Sequence, residues 1–372
     1  MTTARRGPPS SRRRLLRAAA LAALGLAASA ARAQAADAAT AATGAPVGDT
    51  DGGPAGGYAT RPEVATYLDH LADETGLSRS WLDRIVAAAR YCADAQRLTT
   101  PHRAPTAARN WPAYRAHHID RRRVDDGVAF WREHVATLRR VEERFGVPPA
   151  VVVAVLGVET HFGRLTGNYR AIDVFLTLAF DYVRRAELYR DELASYLLLC
   201  RDRGWDPLEV RSSFAGAIGL PQFLPSSIRR FAVDFDGDDS IDLHHSIPDA
   251  AGSIGNYLAA HGWQRDHPVA VAVRDGSLPL AVAADCVHRG LDPDARWAEL
   301  AARGVRIEGR LDPSAAVMLV ELPRSDPRGT RPALYRVGTT NFAALLQYNR
   351  SDFYVSAVSD YADELQRAMR AA

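Results

Sequence analysis

Val151 to Val158 (Val-Val-Val-Ala-Val-Leu-Gly-Val) is apolar at every position and ends on one carboxylate, Glu159. Pro148 and Pro149 stand just upstream, where the fixed φ of proline suits the first turn of a helix. A helix with no solvated face belongs in a core, so the run predicts a buried helix with Glu159 near its C-terminal end. Desolvation and the negative end of the helix dipole both disfavour a charged carboxylate there, and both raise its pKa. A glutamic acid still protonated near neutral pH is what a general acid needs to cleave a glycosidic bond. The same position also suits a structural carboxylate held by a buried arginine or by backbone N–H groups.

The first 33 residues read as a separate segment. Arg5, Arg6, Arg12, Arg13, Arg14 and Arg17 precede an apolar stretch, Ala18 to Ala31, too short to span a bilayer, and Ala31-Arg32-Ala33 offers small residues for cleavage. This is the pattern of a bacterial export signal, and Ser11 to Arg17 fits its twin-arginine form. No cysteine lies in or just after it, so a soluble periplasmic protein without a lipid anchor is expected. All 46 basic residues are arginine. The leader holds seven of them and no acid, which leaves 39 basic against 44 acidic residues, a net charge of −5. The pI of about 8.5 thus belongs to the whole chain and is no nucleic-acid footprint. Cys92, Cys200 and Cys286 allow at most one disulfide.

Residues 34–60, rich in Ala, Gly, Thr and Asp, read as a flexible linker, and residues 61–372 as the folded region. Apolar spacing predicts an amphipathic helical stretch from Pro62 to about Arg97 and a long helix from Asp120 to Phe145, with Val128, Trp131, Val135, Leu138 and Val141 on one face. Further helices are expected at about 172–183, 186–203 and 249–261, at 342–346, and from 353 to the end, with 205–228 as loop. Between about 268 and 340, β-prone runs at Val269–Val273 and Ala316–Leu322 suggest a small mixed α/β insert. The class is mainly α (α+β).

Two loops carry chemistry. Ser213-Phe214-Ala215-Gly216-Ala217-Ile218-Gly219-Leu220-Pro221-Gln222-Phe223-Leu224-Pro225-Ser226-Ser227 combines two glycines, which allow close backbone approach, with Ser213 and Gln222, which can bond sugar hydroxyls and amides. Alone it would pass for a structural turn. Asp234-Phe235-Asp236-Gly237-Asp238-Asp239-Ser240-Ile241-Asp242 has calcium-loop spacing, with oxygen ligands at alternate positions and an apolar residue after Ser240. Asp239 replaces the usual glycine, tolerable because Asp visits positive φ. His245 replaces the closing glutamate, so Asp249 is the expected last ligand. A solvated acidic turn is the alternative. The adjacent pairs His117-His118 and His244-His245 do not share a helix face and suggest no zinc site.

Glu159 within Gly157-Val158-Glu159-Thr160-His161-Phe162-Gly163, the Ser213–Ser227 stretch and the acidic loop before Ala251-Gly252-Ser253-Ile254-Gly255-Asn256-Tyr257 follow one another in an order that closely resembles the lytic murein transglycosylase B family. The likeness runs from about residue 61 to 365. It implies a lysozyme-like helical core and, as substrate, peptidoglycan glycan strands of alternating N-acetylglucosamine and N-acetylmuramic acid. Glu159 would act first as acid and then as base on the muramic acid C6 hydroxyl, leaving a 1,6-anhydro end without a cofactor. Position by position, Tyr114, Arg184, Arg185, Ser213, Gln222, Tyr257, Tyr348, Asn349 and Tyr354 would line the sugar groove. Asp234, Asp236, Asp238, Ser240 and Asp249 would hold a structural calcium or sodium ion. Leu188 stands where the family tends to place an aromatic, which puts one subsite in question. A monomer working alongside other cell-wall enzymes is expected. The alternatives are a muramidase-type hydrolase that pairs Glu159 with Asp173 or Asp181, and a non-catalytic glycan-binding protein of the same fold.

Overall fold

The computed structural model describes residues 57–100, 110–324 and 333–371. The expected export signal and most of the expected linker lie outside these residues. Residues 58–60, assigned by sequence to the end of the linker, form a 3-10 turn with Tyr58 buried. The Tyr58 hydroxyl lies 3.0 Å from Thr177 Oγ1 and donates to Asp181 at 2.7 Å, which fastens this start of the fold to the core.

The stretch expected as helix from Pro62 to Arg97 is three helices, α1 (Pro62–Thr75), α2 (Arg79–Ala88) and α3 (Ala93–Thr99). Gly76 ends α1 in the left-handed region (φ 70°), a stop that apolar spacing does not register. After α4 (Trp111–His118), the expected helix from Asp120 to Phe145 is divided into α5 (Arg121–Glu133) and α6 (Val135–Phe145). His134 leaves helical geometry there, at φ −111° and ψ 23°. No glycine or proline marks the break, and Phe130, Trp131, Leu138 and Val141 are buried on both sides of it, so periodicity reads straight through.

α7 (Pro149–Thr160) is the buried helix that its composition demands: Pro149 opens it and residues 149–157 are all buried. It is followed by α8 (Ala171–Phe180), α9 (Ala186–Arg203), α10 (Pro225–Phe231) and α11 (Ile247–Ala260). Strands β1 (Tyr169–Arg170) and β2 (Arg211–Ser212) pair antiparallel between them. α10 takes up the end of the region expected as loop.

The insert holds β3 (Ala270–Ala272), α12 (Leu280–Cys286), β4 (Ala295–Arg296), α13 (Trp297–Ala302), β5 (Ala316–Leu322) and β6 (Leu334–Gly338). Its antiparallel sheet has the order β3-β6-β5-β4. The alternation of a strand serves two cores at once. Val317 and Leu319 of β5 point into a small cluster with Val273, Leu300, Val305 and Val337, whereas Met318, Val320 and Leu322 join the main core.

α14 (Thr340–Tyr348) and α15 (Asp352–Ala371) close the chain, and α15 lies along α7 and α5. The approach is tightest at two glycines. A Cβ on Gly157 would stand 2.6 Å from Tyr361 Cε1 and 2.9 Å from Phe162 Cζ, and one on Gly127 would stand 2.5 Å from Leu365 Cδ2. The Tyr361 hydroxyl donates to the Arg123 carbonyl, so three helices lock around one ring. Cys92, Cys200 and Cys286 are free thiols. Among the described residues, no helix is long and apolar enough to cross a membrane.

Candidate active site

Glu159 is the penultimate residue of α7 and half-buried, so a carboxylate emerges where a wholly apolar helix meets the surface. The Tyr354 hydroxyl, from the first turn of α15, donates to Glu159 Oε1 at 2.7 Å. Tyr354 is itself buried and stacks on Tyr348, with centroids 6.4 Å apart and ring planes 9° from parallel. Tyr348 in turn meets Phe223 and Tyr257 at 5.6 and 5.0 Å. Its hydroxyl donates to the Pro221 carbonyl, and that of Tyr257 donates to the Gln347 carbonyl at 2.6 Å. The sequence placed Tyr257 and Tyr348 along a sugar groove. The structure buries both rings and turns both hydroxyls to backbone, so they form the wall behind Tyr354.

The Ser213–Ser227 stretch supplies the opposite support. Ile218 and Phe223 pair as a tight hairpin, with Gly219 at φ 72° and Gln222 at φ 50°. Gly219 is obligatory, because a Cβ there would stand 2.5 Å from the Leu243 carbonyl oxygen. The hairpin grips the end of α7. Thr160 Oγ1 lies 3.3 Å from the Leu220 carbonyl, while Gln222 Nε2 donates to the Thr166 and Gly219 carbonyls at 3.1 and 2.9 Å. Ser213 Oγ accepts from the Ala215 and Ala217 N–H groups at 3.3 and 3.1 Å, which braces the same loop. In this structure Gln222 is buried, and the amide expected to meet sugar is bound to backbone.

Tyr114, Asn349 and Arg185 stand near this centre, Arg185 through Arg350. Tyr114 packs on Trp111 and on Phe353, the neighbour of Tyr354, at 6.3 and 5.4 Å. Asn349 is buried in the short link between α14 and α15. Arg184 is exposed on the 3-10 turn Val183–Arg185. Arg185 is half-buried, and its Nη1 has no hydrogen-bond partner among the described residues. Arg350, which the sequence reading missed, belongs with it. Burial first, and then the Arg185 charge, holds the Arg350 guanidinium below its ordinary pKa. Two guanidinium groups near enough for their like charges to repel suit an anionic or carbonyl-rich group.

Asp126 was also missed, since Asp125-Asp126 reads as a solvated helix face. Its Oδ2 accepts from Arg164 at 2.6 Å and lies 2.9 Å from His161 Nε2, which pins the turn after Glu159. Arg164 first, then His161, keeps the Asp126 carboxyl below its usual range. The two carboxylates offered as partners for a hydrolase are committed elsewhere. Asp181 holds Arg61 at 2.7 Å, and Asp173 holds Arg170 at 2.8 Å and the Arg90 N–H at 2.8 Å.

In the acidic loop, carboxylate oxygens of Asp234, Asp236 and Asp249 lie within 4.8 Å of one another. Asp239 takes the expected left-handed conformation, φ 67°. Asp249 is buried on the first turn of α11. Burial raises its pKa, the Phe235 and Asp242 N–H groups lower it, and the Asp236 and Asp234 charges raise it again. Three converging oxygens with unneutralised charge fit a hard cation. Asp238 stands outside this cluster: the Ser240 N–H donates to it at 2.9 Å, turning that carboxylate back on its own loop. His245 is drawn to Asp242 at 2.9 Å.

Residues 59–363 match the family described as the transglycosylase SLT domain. The membrane-bound lytic murein transglycosylase B of Escherichia coli (strain K12) is 36% identical over 310 residues, 82% of either chain. The soluble lytic transglycosylase SltB1 of Pseudomonas aeruginosa superposes with a TM-score of 0.75 at 37% identity, covering 84% of this chain and 100% of that one. The E. coli lytic transglycosylase Slt35 in complex with calcium gives 0.72 at 34% identity, covering 84% and 95%. P. aeruginosa SltB3 in complex with NAG-anhNAM-pentapeptide gives 0.68 at 27% identity, covering 82% and 79%. The mainly α fold with its lysozyme-like core is theirs, and the matched span contains every residue described above from Tyr114 to Tyr354. The chain belongs to the transglycosylase SLT-domain family and is a lytic transglycosylase acting on peptidoglycan.

Proposed function

We propose that Glu159 performs both proton transfers of the reaction. As an acid it protonates the glycosidic oxygen leaving C1 of N-acetylmuramic acid. The resulting carboxylate then takes the proton of the C6 hydroxyl as that oxygen bonds to C1, closing a 1,6-anhydro ring. No water and no protein nucleophile enters. The observation that carries this reading is Glu159 itself, a half-buried carboxylate at the end of an apolar helix with a tyrosine hydroxyl 2.7 Å from Oε1. That hydroxyl stabilises the carboxylate as it forms. The engagement of Asp173 on α8 and Asp181 just after it in ion pairs with Arg170 and Arg61 weighs against the paired carboxylates a hydrolase uses. Arg185 and Arg350 would receive a carboxylate or acyl group of the substrate, with Arg184 and Tyr114 at the outer edge. Ser213, Gln222, Tyr257, Tyr348 and Asn349 would shape the groove from behind. The relative solved with NAG-anhNAM-pentapeptide supports a product of this kind.

Asp234, Asp236 and Asp249 would hold a structural cation, calcium or sodium, with Asp238 and Ser240 reaching it on rearrangement of the loop. The calcium complex of Slt35 supports this assignment. The protein would act as a periplasmic monomer. Digestion of purified peptidoglycan followed by mass analysis tests the reaction: anhydro-muramoyl ends are expected, and reducing ends, heavier by one water, would overturn it in favour of a hydrolase. Glu159→Gln should abolish release while leaving glycan binding, and undiminished release by that variant would reject the assigned role.

A further inference from the structure

His288 follows α12 in the insert, and only 5% of its side chain is exposed. Its two ring nitrogens face two acceptors. Nδ1 lies 3.0 Å from the Gly290 carbonyl oxygen, and Nε2 lies 2.9 Å from Asp352 Oδ1. A carbonyl oxygen and an ionised carboxylate can only accept, so both bonds exist together only when both nitrogens carry protons. The geometry is that of an imidazolium. A neutral ring would give up one of the two bonds at a buried site.

The position of this ring connects the insert to the candidate active site. The His288 N–H donates to the Leu319 carbonyl of β5 at 2.9 Å, and Phe342 of α14 packs 6.5 Å away, edge to face. Asp352 is the first residue of α15, and Tyr354, two residues on, is the donor to Glu159. The charged groups that face the ring are Asp352 from α15 and Asp294 from the insert, while α14 meets it with the Phe342 ring and β5 holds the His288 backbone. Burial pulls the imidazole pKa down, but Asp352, the Gly290 carbonyl and Asp294 outweigh it and hold the pKa above its ordinary value.

We propose that His288 is a positioning residue of the transglycosylase reaction: its protonated ring ties the insert to the first turn of α15 and thereby sets the hydrogen bond from Tyr354 to Glu159. This inference rests on the reading of Glu159 and Tyr354 as the reacting pair. Turnover should weaken as pH rises and the ring gives up one proton.

The test follows release of soluble fragments from purified peptidoglycan between about pH 5 and about pH 9, the span in which histidine changes charge. It uses the wild type, His288→Gln, Asp352→Asn, Tyr354→Phe and the double variant His288→Gln with Tyr354→Phe. At about pH 6, His288→Gln and Asp352→Asn should each lower kcat by about five- to tenfold with KM unchanged, a size typical of coupled neighbours. The part of the alkaline fall of kcat that His288 sets should disappear in both, leaving only the fall from loss of the Glu159 proton. In the Tyr354→Phe background, His288→Gln should cost less than about twofold more, because both act through one hydroxyl. An alkaline fall that persists at the same midpoint in His288→Gln, or penalties that multiply, would overturn the proposal.

Should the variants not fold, the nitrogen NMR signals of the wild-type His288 ring at about pH 6 decide: two protonated nitrogens support the proposal, and a neutral tautomer ends it. Full turnover by both Glu159→Gln and Tyr354→Phe would sink the reading of the site and this inference with it. Loss of turnover in those two, with pH profiles unmoved by the His288 variants, would sink the inference alone.

Discussion

Tyr354→Phe removes one oxygen atom from the site and leaves the ring. The ring keeps its buried place and its stack on Tyr348, so the wall behind Glu159 should stand. The lost bond ends on a half-buried carboxylate that water can reach, so its cost to folding is about 1 kcal/mol or less. At about 2–4 °C per kcal/mol, the melting temperature should fall by no more than about 4 °C. Catalysis should suffer far more. A hydrogen bond to a charged partner is worth about 1.5–3 kcal/mol. In the proposed reaction Glu159 becomes charged as it protonates the leaving oxygen, so most of that energy belongs to the transition state. At about 1.4 kcal/mol per factor of ten, kcat should fall roughly ten- to a hundredfold. KM should stay within about twofold, the mark of an interaction that strengthens only in the transition state. Initial rates of fragment release over a range of peptidoglycan concentrations measure both constants. A kcat within about twofold of wild type, or a loss confined to KM, would refute the role given to the hydroxyl.

Gly157→Ala should destabilise despite the helix propensity it gains. Alanine is worth about 1 kcal/mol over glycine in a helix, but its Cβ would press on Tyr361 and Phe162 at 2.6 and 2.9 Å, and overpacking costs about 1–3 kcal/mol. A lower midpoint in denaturant is expected, and an unchanged or higher one would show that the crossing yields. Chelator should lower the melting temperature of the wild type, by about 2.7 kcal/mol in free energy where the ion stood at a hundred times its Kd, and should leave Asp249→Asn unmoved. Equal melting curves with and without chelator would rule out an occupied site. The depressed pKa of Asp126 gives stability that is present above the unfolded carboxyl value of about 3.9 and is lost as pH falls through the lower folded value. Calorimetry below about pH 4 should therefore show a steeper acid loss for wild type than for Asp126→Asn, and parallel curves would exclude the linkage.

Local chemistry in the sequence accounts for several of these elements. An apolar run behind two prolines can only be a buried helix, and α7 is one, with Glu159 at its exit. The acidic loop was legible for the same reason, down to the positive φ of Asp239. Spacing does not set rotamers, however: Asp238 has the right position, yet bonds the Ser240 N–H and stands apart from the three gathered carboxylates. Two tyrosines show the same limit. Tyr257 and Tyr348 have the amphipathic character that suits a sugar, and the fold uses their rings as wall and their hydroxyls as struts to backbone.

The groups that aim Glu159 lie beyond any local pattern. Tyr354 is 195 positions away in sequence, Asp126 is 35 from His161, and His288 is 64 from Asp352. Asp126 and His288 read on their own segments as ordinary helix or loop residues, and only the family resemblance drew Tyr354 to the site. Backbone strain shows the same limit from the other side. Five non-glycine residues among those described take positive φ, and three of them, His161, Phe162 and Gln222, sit at the end of α7 or in the hairpin that grips it. Phenylalanine and glutamine have no local reason to enter a region that costs about 1–3 kcal/mol. They are held there by the crossing of α5, α7 and α15 on one side and the Gly219 hairpin on the other. Propensity must fail where tertiary packing overrides it, and in this chain that failure falls on the residues flanking the Glu159 carboxylate.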